Sequence, residues 1–159
     1  MTENQIRKPL RIPKFDYAAP GAYFVTICTK NRQQCLGTVV VGADAHIGPR
    51  VELSEYGKIV EKYMQRIPGI GKYVIMPNHI HMIIEILTEE GSMWASTPTQ
   101  SVSQRVRSFK TLVSKEIGVS LWQRSFYDHV IRSEAEYLEI WQYIDENPAH
   151  WAEDEYYTR

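Results

Sequence analysis

Cysteine is scarce in this chain. Cys28 and Cys35 are its only two cysteines, forming neither a CxxC pair nor an array with metal-ligand spacing, so nothing calls for an oxidising compartment. No apolar run approaches the ~20 residues of a membrane span, and the start, Met1-Thr-Glu-Asn-Gln, lacks a stretch of signal-peptide length. A cytoplasmic protein with no membrane association is therefore expected. An excess of either charge is also missing: 18 Lys and Arg stand against 19 Asp and Glu, a net charge of −1. Bulk charge thus gives no footprint of a polyanion binder. A phosphate-cradling GxxxxGK[ST] loop is absent too, which argues against chemistry driven by ATP. With 159 residues the chain fits one domain, residues 1–159, able to bury a core without disulfide or metal staples.

The near-zero net charge hides a polarity along the chain. Arg7, Lys8, Arg11, Lys14, Lys30 and Arg32 crowd the first part, where residues 1–20 read as a basic arm. Arg105, Arg107, Lys110, Lys115 and Arg124 form a second basic segment opposed by Glu116, and the region from Glu134 to Glu155 is acidic. Two basic segments and an acidic tail can meet a polyanion from one side only.

Residues 23–29, rich in β-branched and aromatic types after Pro20-Gly21, predict a first strand, with Val39, Val40 and Val41 pairing back onto it. Ser54 offers an N-cap to a helix whose apolar positions run from Tyr56 to Ile67 and stop at Pro68-Gly69. Tyr73 to Met76 and His79 to Ile86 predict a hairpin about Pro77-Asn78. Residues 88–101 carry no apolar period and suggest a mobile loop. A second helix, with Val102, Val106, Phe109, Leu112, Val113 and Ile117 apolar, ends at Gly118, and Trp122 to Val130 predicts the last strand. Strand, helix, strand, strand, helix, strand is the order of the ferredoxin-like or RRM-like split βαβ, an α+β antiparallel sheet with helices packed on it. An added C-terminal helix begins at a Ser133/Glu136 capping box and ends before Pro148. At about 100° per residue, Tyr137, Leu138, Trp141 and Ile144 are expected on its core side, with Glu136, Glu139, Tyr143 and Asn147 opposite.

Two spacings carry chemistry. His79 and His81 are two apart in a strand and point to one face, so both imidazoles can reach one cation. Tyr143 and Asn147 are four apart in a helix, so a phenol and an amide oxygen can point at one spot. Two histidines cannot make a closed four-ligand zinc site, and an open site is what a substrate phosphate requires. The mixed donors favour Mg²⁺ or Mn²⁺. A cation polarises a phosphodiester and offsets charge in its transition state, while an adjacent phenol serves as nucleophile. The residues therefore predict a metal-dependent enzyme that breaks and rejoins nucleic-acid strands.

The segment Tyr73-Val-Ile-Met-Pro-Asn-His-Ile-His-Met-Ile-Ile resembles the HUH motif (His, bulky hydrophobic, His) of single-tyrosine HUH transposases. With Trp122-Gln-Arg-Ser-Phe-Tyr-Asp-His-Val-Ile-Arg132, Tyr143-Ile-Asp-Glu-Asn-Pro148, Phe15-Asp-Tyr and Pro20-Gly-Ala-Tyr-Phe, the chain is most similar to the REP-associated tyrosine transposases. That resemblance implies DNA transposition by a metal-dependent endonuclease and strand transferase on single-stranded or hairpin DNA. Tyr143 would attack to give a 5′-phosphotyrosine and a 3′-hydroxyl, and His79 and His81 would be metal ligands. Asn147 takes the place where related insertion-sequence enzymes often carry glutamine, and His129, in a matched segment with Tyr127 and Asp128, is a reserve candidate. Both a monomer and a helix-exchanged homodimer are compatible with the likeness. Arg7, Arg11, Lys14, Lys30, Arg105 and Lys110 are candidate phosphate contacts, to be joined by aromatic stacking on unpaired bases.

The main rival is a non-catalytic single-stranded nucleic-acid binding module on an RRM-like sheet, which predicts no covalent adduct. A small-molecule metallohydrolase fits poorly, because Met82 and Ile83 follow His81 where an HxHxDH array needs ligands, and the chain is shorter than a barrel of ~250 residues.

Overall fold

The computed structural model describes residues 21–41, 48–86 and 100–153. The residues expected to form the basic arm and most of the mobile loop lie outside that range. Four strands, β1 (Gly21–Cys28), β4 (Ile70–Ile75), β5 (His79–Ile86) and β6 (Tyr127–Ile131), form an antiparallel sheet in the order β4-β5-β1-β6. This is the ferredoxin-like arrangement that the element order predicts.

Alternation along the strands decides which side is core. Tyr23, Val25 and Ile27 of β1 and Ile80, Met82, Ile84 and Ile86 of β5 all turn to one face, where they are buried. Helix α1 (Glu55–Met64) brings Val60 and Met64 to that face, and α2 (Val102–Ile117) brings Val106, Phe109 and Val113. Each such fully buried side chain contributes roughly 1.5–3 kcal/mol of burial free energy. Both helices begin on serine caps: Ser54 accepts from the Gly57 N–H, and Ser101 with Gln104 forms a reciprocal capping box. Ser101, expected inside the loop, is thus the first fixed point of α2. Gly118 closes α2 at φ 85°, a left-handed position that suits glycine. Gly69 turns the chain from α1 into β4 at φ 79°, where a Cβ would lie 1.9 Å from the Glu85 carbonyl oxygen.

Helix α3 (Glu134–Glu146) crosses the opposite face over β4 and β5, and a 3₁₀ segment (Asn147–Glu153) continues from it to reach β3 (Arg50–Leu53). This is why β5 is buried on both sides, except for the half-buried Glu85.

Three expectations are corrected. Val39 and Val40 do not pair with β1: β2 (Gly37–Val40) forms a separate two-stranded sheet with β3 (Arg50–Leu53), because both edges of β1 are taken by β5 and β6. The last strand starts at Tyr127 rather than Trp122. Trp122 makes an isolated bridge to Thr29 while its ring packs on Phe109 at 5.7 Å, and the chain leaves the sheet until Tyr127. On α3, Leu138 and Trp141 are exposed rather than core, whereas Ile144 and Asn147, three apart and so on one side, are both buried.

Candidate active site

The face under α3 collects the polar phase of β1 and β5. His79 and His81 stand side by side there with ring centroids 4.6 Å apart, and the strand pairing sets Cys28 opposite His79 and Thr26 opposite His81. Each ring is held through Nδ1. Thr26 Oγ1 lies 2.7 Å from Nδ1 of His81, and Asn78 Oδ1 lies 2.8 Å from Nδ1 of His79. Anchoring Nδ1 fixes ring orientation and presents Nε2 as the atom that can bind an ion.

Burial keeps the pair neutral. It lowers the pKa of His79 to about 3; Asn147, lying against the ring, opposes the shift and the charge of Arg32 adds to it. His81 is pushed well below the ordinary range, by burial first and by His79 second. A neutral imidazole keeps the lone pair that a cation needs.

Helix α3 brings the other two groups. Asn147 is its C-cap and is 1% exposed; its Oδ1 is buried and accepts no hydrogen bond of ordinary geometry, the state expected of a carbonyl oxygen placed for a cation. Tyr143, one turn earlier, is 44% exposed, with its ring centroid 5.3 Å from that of His81 and 6.2 Å from that of Phe24. Phe24 stacks on His81 at 5.3 Å, and Trp151 of the 3₁₀ segment stacks on His79 at 6.0 Å. The imidazole pair is thus walled by aromatic rings and open toward the phenol.

Among the described residues, no cluster of three or more His, Cys, Asp or Glu side chains forms a metal site. An ion held here would have two imidazole nitrogens and one amide oxygen from the protein, and would complete its shell from water or substrate oxygens. That donor set fits a hard or borderline divalent cation with open positions.

The other expected residues are placed differently. His129 shares this face but sits on β6 opposite Phe24 and pairs with Glu136 of α3, whose carboxyl pKa it lowers. Lys30 is exposed, its ammonium 3.2 Å from Ser120 Oγ. Lys110 donates to the Gln123 carbonyl at 2.7 Å. Arg7, Arg11 and Lys14 lie outside the described residues. Arg105 requires a correction: it is 9% exposed, donates to the Pro68 and Gln100 carbonyls, and clamps the end of α1 to the start of α2 instead of offering a surface cation. Phe24, Thr26, Asn78 and Trp151 were not foreseen as parts of the site.

No family model matches the chain. An uncharacterised protein of Haemophilus influenzae is 33% identical over 177 residues, spanning 96% of this chain and 93% of its own length. A second Haemophilus influenzae protein, provisionally named a REP-associated tyrosine transposase, is 26% identical over 140 residues, spanning 84% of this chain and 73% of its own. Through the second of these relatives the chain is similar to the REP-associated tyrosine transposases. The solved structure of a REP-associated tyrosine transposase bound to a REP hairpin shares the fold, with a TM-score of 0.55 at 23% identity, over 87% of this chain and 73% of that one. Among the described residues of this chain, no helix is long and apolar enough to cross a membrane.

Proposed function

We propose that this protein is a transposase that nicks and rejoins single-stranded DNA carrying a hairpin, through a covalent bond to Tyr143 and with the help of a divalent ion, Mg²⁺ or Mn²⁺. The observation that carries this reading is the meeting of three groups from distant parts of the chain. The phenol ring of Tyr143 lies 5.3 Å from His81, whose neighbour His79 lies against the buried amide of Asn147. A non-catalytic binder has no need of buried, neutral, Nδ1-anchored imidazoles beside an exposed phenol.

His79, His81 and Asn147 would hold the ion, which supplies charge to offset that developing on the phosphate. Tyr143 Oη attacks phosphorus, the bond to the 3′-oxygen breaks, and that oxygen leaves as a hydroxyl with the proton the phenol gives up. The phosphotyrosine conserves the bond energy, so a second 3′-hydroxyl can displace the phenol and restore a phosphodiester without ATP. Lys30 and Lys110 are retained as phosphate contacts, together with Arg7, Arg11 and Lys14. The hairpin enters because the solved relative is bound to one.

The test is a denaturing gel of labelled hairpin DNA incubated with the protein and Mn²⁺. A covalent band is expected, absent for Tyr143→Phe and for His79→Ala. Tight binding with no band under any divalent ion would leave the chain a binding module and refute the proposal.

A further inference from the structure

Beside the imidazole pair, on the same face of the sheet, lies a cavity of about 170 Å³ lined by Thr26, Cys28, Arg32, Gln123, Ser125, Phe126 and Tyr127. One row of the sheet runs His81, Thr26, Tyr127 across β5, β1 and β6, so the cavity opens next to the site through the residue that anchors His81.

Its walls are built rather than incidental. Asn31 and Arg32 sit at φ 56° and 53°, a left-handed conformation that asparagine tolerates but that is uncommon for arginine and is found in proteins at working sites. That turn is tied to the site: Asn78 Nδ2 reaches the Arg32 carbonyl at 3.4 Å while Asn78 Oδ1 bonds His79. Opposite, the stretch that leaves the sheet before β6 is pinned on both backbone groups of Gln123. Its N–H donates to the Cys28 carbonyl at 2.9 Å and its carbonyl accepts from Lys110 at 2.7 Å. Tyr127 is 43% exposed at the rim and meets Phe24 edge-on at 6.3 Å.

Among the described residues, no carboxylate lines the cavity. Its chemistry is a guanidinium, an amide with both donor and acceptor, hydroxyls, a thiol and two aromatic rings. A cation for phosphate, a π-face for a base and an amide for its polar edge are together a description of one nucleotide. The volume is below the ~300–1,000 Å³ usual for drug-sized ligands, which suits a single ring system and not a base pair.

We propose that this pocket seats one unpaired nucleotide adjoining the phosphate attacked by Tyr143, with Arg32 on its phosphate, Tyr127 against its base and Gln123 reading the base edge. The inference rests on the proposed strand-transfer reading and adds to it a source of sequence specificity at one position. Arg32 and Gln123 are then substrate-binding residues that act before chemistry.

The test uses the full chain as Tyr143→Phe and a fluorescent hairpin oligonucleotide selected by binding from a pool with a randomised single-stranded flank. An abasic site is moved along the flank, and affinity is read by anisotropy. One position should weaken binding about tenfold, as removal of a stacked base does. Tyr127→Ala added to this protein should reduce that effect to twofold or less, and Gln123→Ala should flatten the preference among the four bases there. Sensitivity that persists undiminished in the Tyr127→Ala protein, or none anywhere along the flank, overturns the proposal. Adduct formation by the protein with Tyr143 intact is scored separately on the same DNA. An adduct without an abasic effect discards the pocket and keeps the transferase; an abasic effect without an adduct keeps the nucleotide seat and discards the transferase.

Discussion

Replacing Thr26 with Val separates a metal-positioning role from a merely structural one. Thr26 is buried and its hydroxyl lies 2.7 Å from Nδ1 of His81, so valine keeps the β-branched shape and removes only the partner. With ions chelated, the lost bond and the stranded imidazole nitrogen should cost about 1–3 kcal/mol. Loss of the group that orients a ligand typically weakens metal binding ~10–100-fold. Taking roughly 30-fold, and Mn²⁺ at about 100 times the original Kd, the stabilisation by metal falls from about 2.7 to about 0.9 kcal/mol. The gap between the two proteins should therefore widen by nearly 2 kcal/mol when Mn²⁺ is added, or ~4–8 °C in melting temperature for a chain of this size. Thermal denaturation of both proteins, with EDTA and with Mn²⁺, gives all four numbers, and calorimetric titration gives Kd directly. A variant destabilised in EDTA that gains as much from Mn²⁺ as the original would refute the assignment of His81 as a ligand.

Other outcomes follow from the same geometry. Tyr143→Phe should abolish the covalent band while changing unfolding free energy by less than ~0.5 kcal/mol, since the ring is 44% exposed; a large loss of stability in urea titration would make the phenol structural. In chelated protein, His79 titrates in the folded state at about 3, below its unfolded value near 6.5, so the unfolded chain takes up the proton first and stability falls as pH drops through that window. Each such histidine contributes about 1.4 kcal/mol per pH unit; urea titrations at pH 7 and 5.5 should show the decline, and a flat profile would mean the rings are not buried neutral. Arg105→Met should destabilise the fold by roughly 1.5–3 kcal/mol, because two carbonyls lose a charged donor, and leave the salt dependence of DNA binding unchanged. A shallower salt slope would return Arg105 to the DNA surface.

The parts of the fold legible in the sequence are those where local pattern and tertiary demand agree. The β5 alternation sends Ile80, Met82 and Ile84 one way and both histidines the other, and the serine caps at Ser54, Ser101 and Ser133 fix where three helices start. Arg105 was misplaced by its charge, although its spacing from Val102 and Phe109 sets it on the apolar stripe of α2. The α3 face was misplaced for the reverse reason. Leu138 and Trp141 are apolar, but Trp141 turns outward to receive the Lys72 ammonium 4.1 Å from its ring centre, and the buried line passes through Ile144 and Asn147. Phe24, Thr26 and Trp151 were illegible because their nearness to the histidines depends on strand register and on the path of the 3₁₀ segment, neither of which has a local signature.

The burial pattern of α3 also divides the work of the site. The imidazoles sit on a central strand paired on both edges and covered on both faces, so their positions are as fixed as the sheet. Tyr143 rides on a helix whose buried residue is Ile144, with polar links from Tyr137 to Glu85 at 3.0 Å and from Lys72 to Asp145 at 2.7 Å. Partly exposed ion pairs contribute little, about 0–1 kcal/mol, so Ile144 and Asn147 carry most of the docking. Asn147 is at once the helix cap, the buried amide against His79 and the proposed third ligand. On that reading, occupation of the site and docking of the helix that carries the nucleophile draw on the same side chain. Their free energies are then linked, and whatever strengthens one strengthens the other. A glutamine at this position would reach further from the helix axis, so the shorter asparagine requires the C-terminus of α3 to lie close to β5, which is where Trp151 stacking on His79 places the segment that follows.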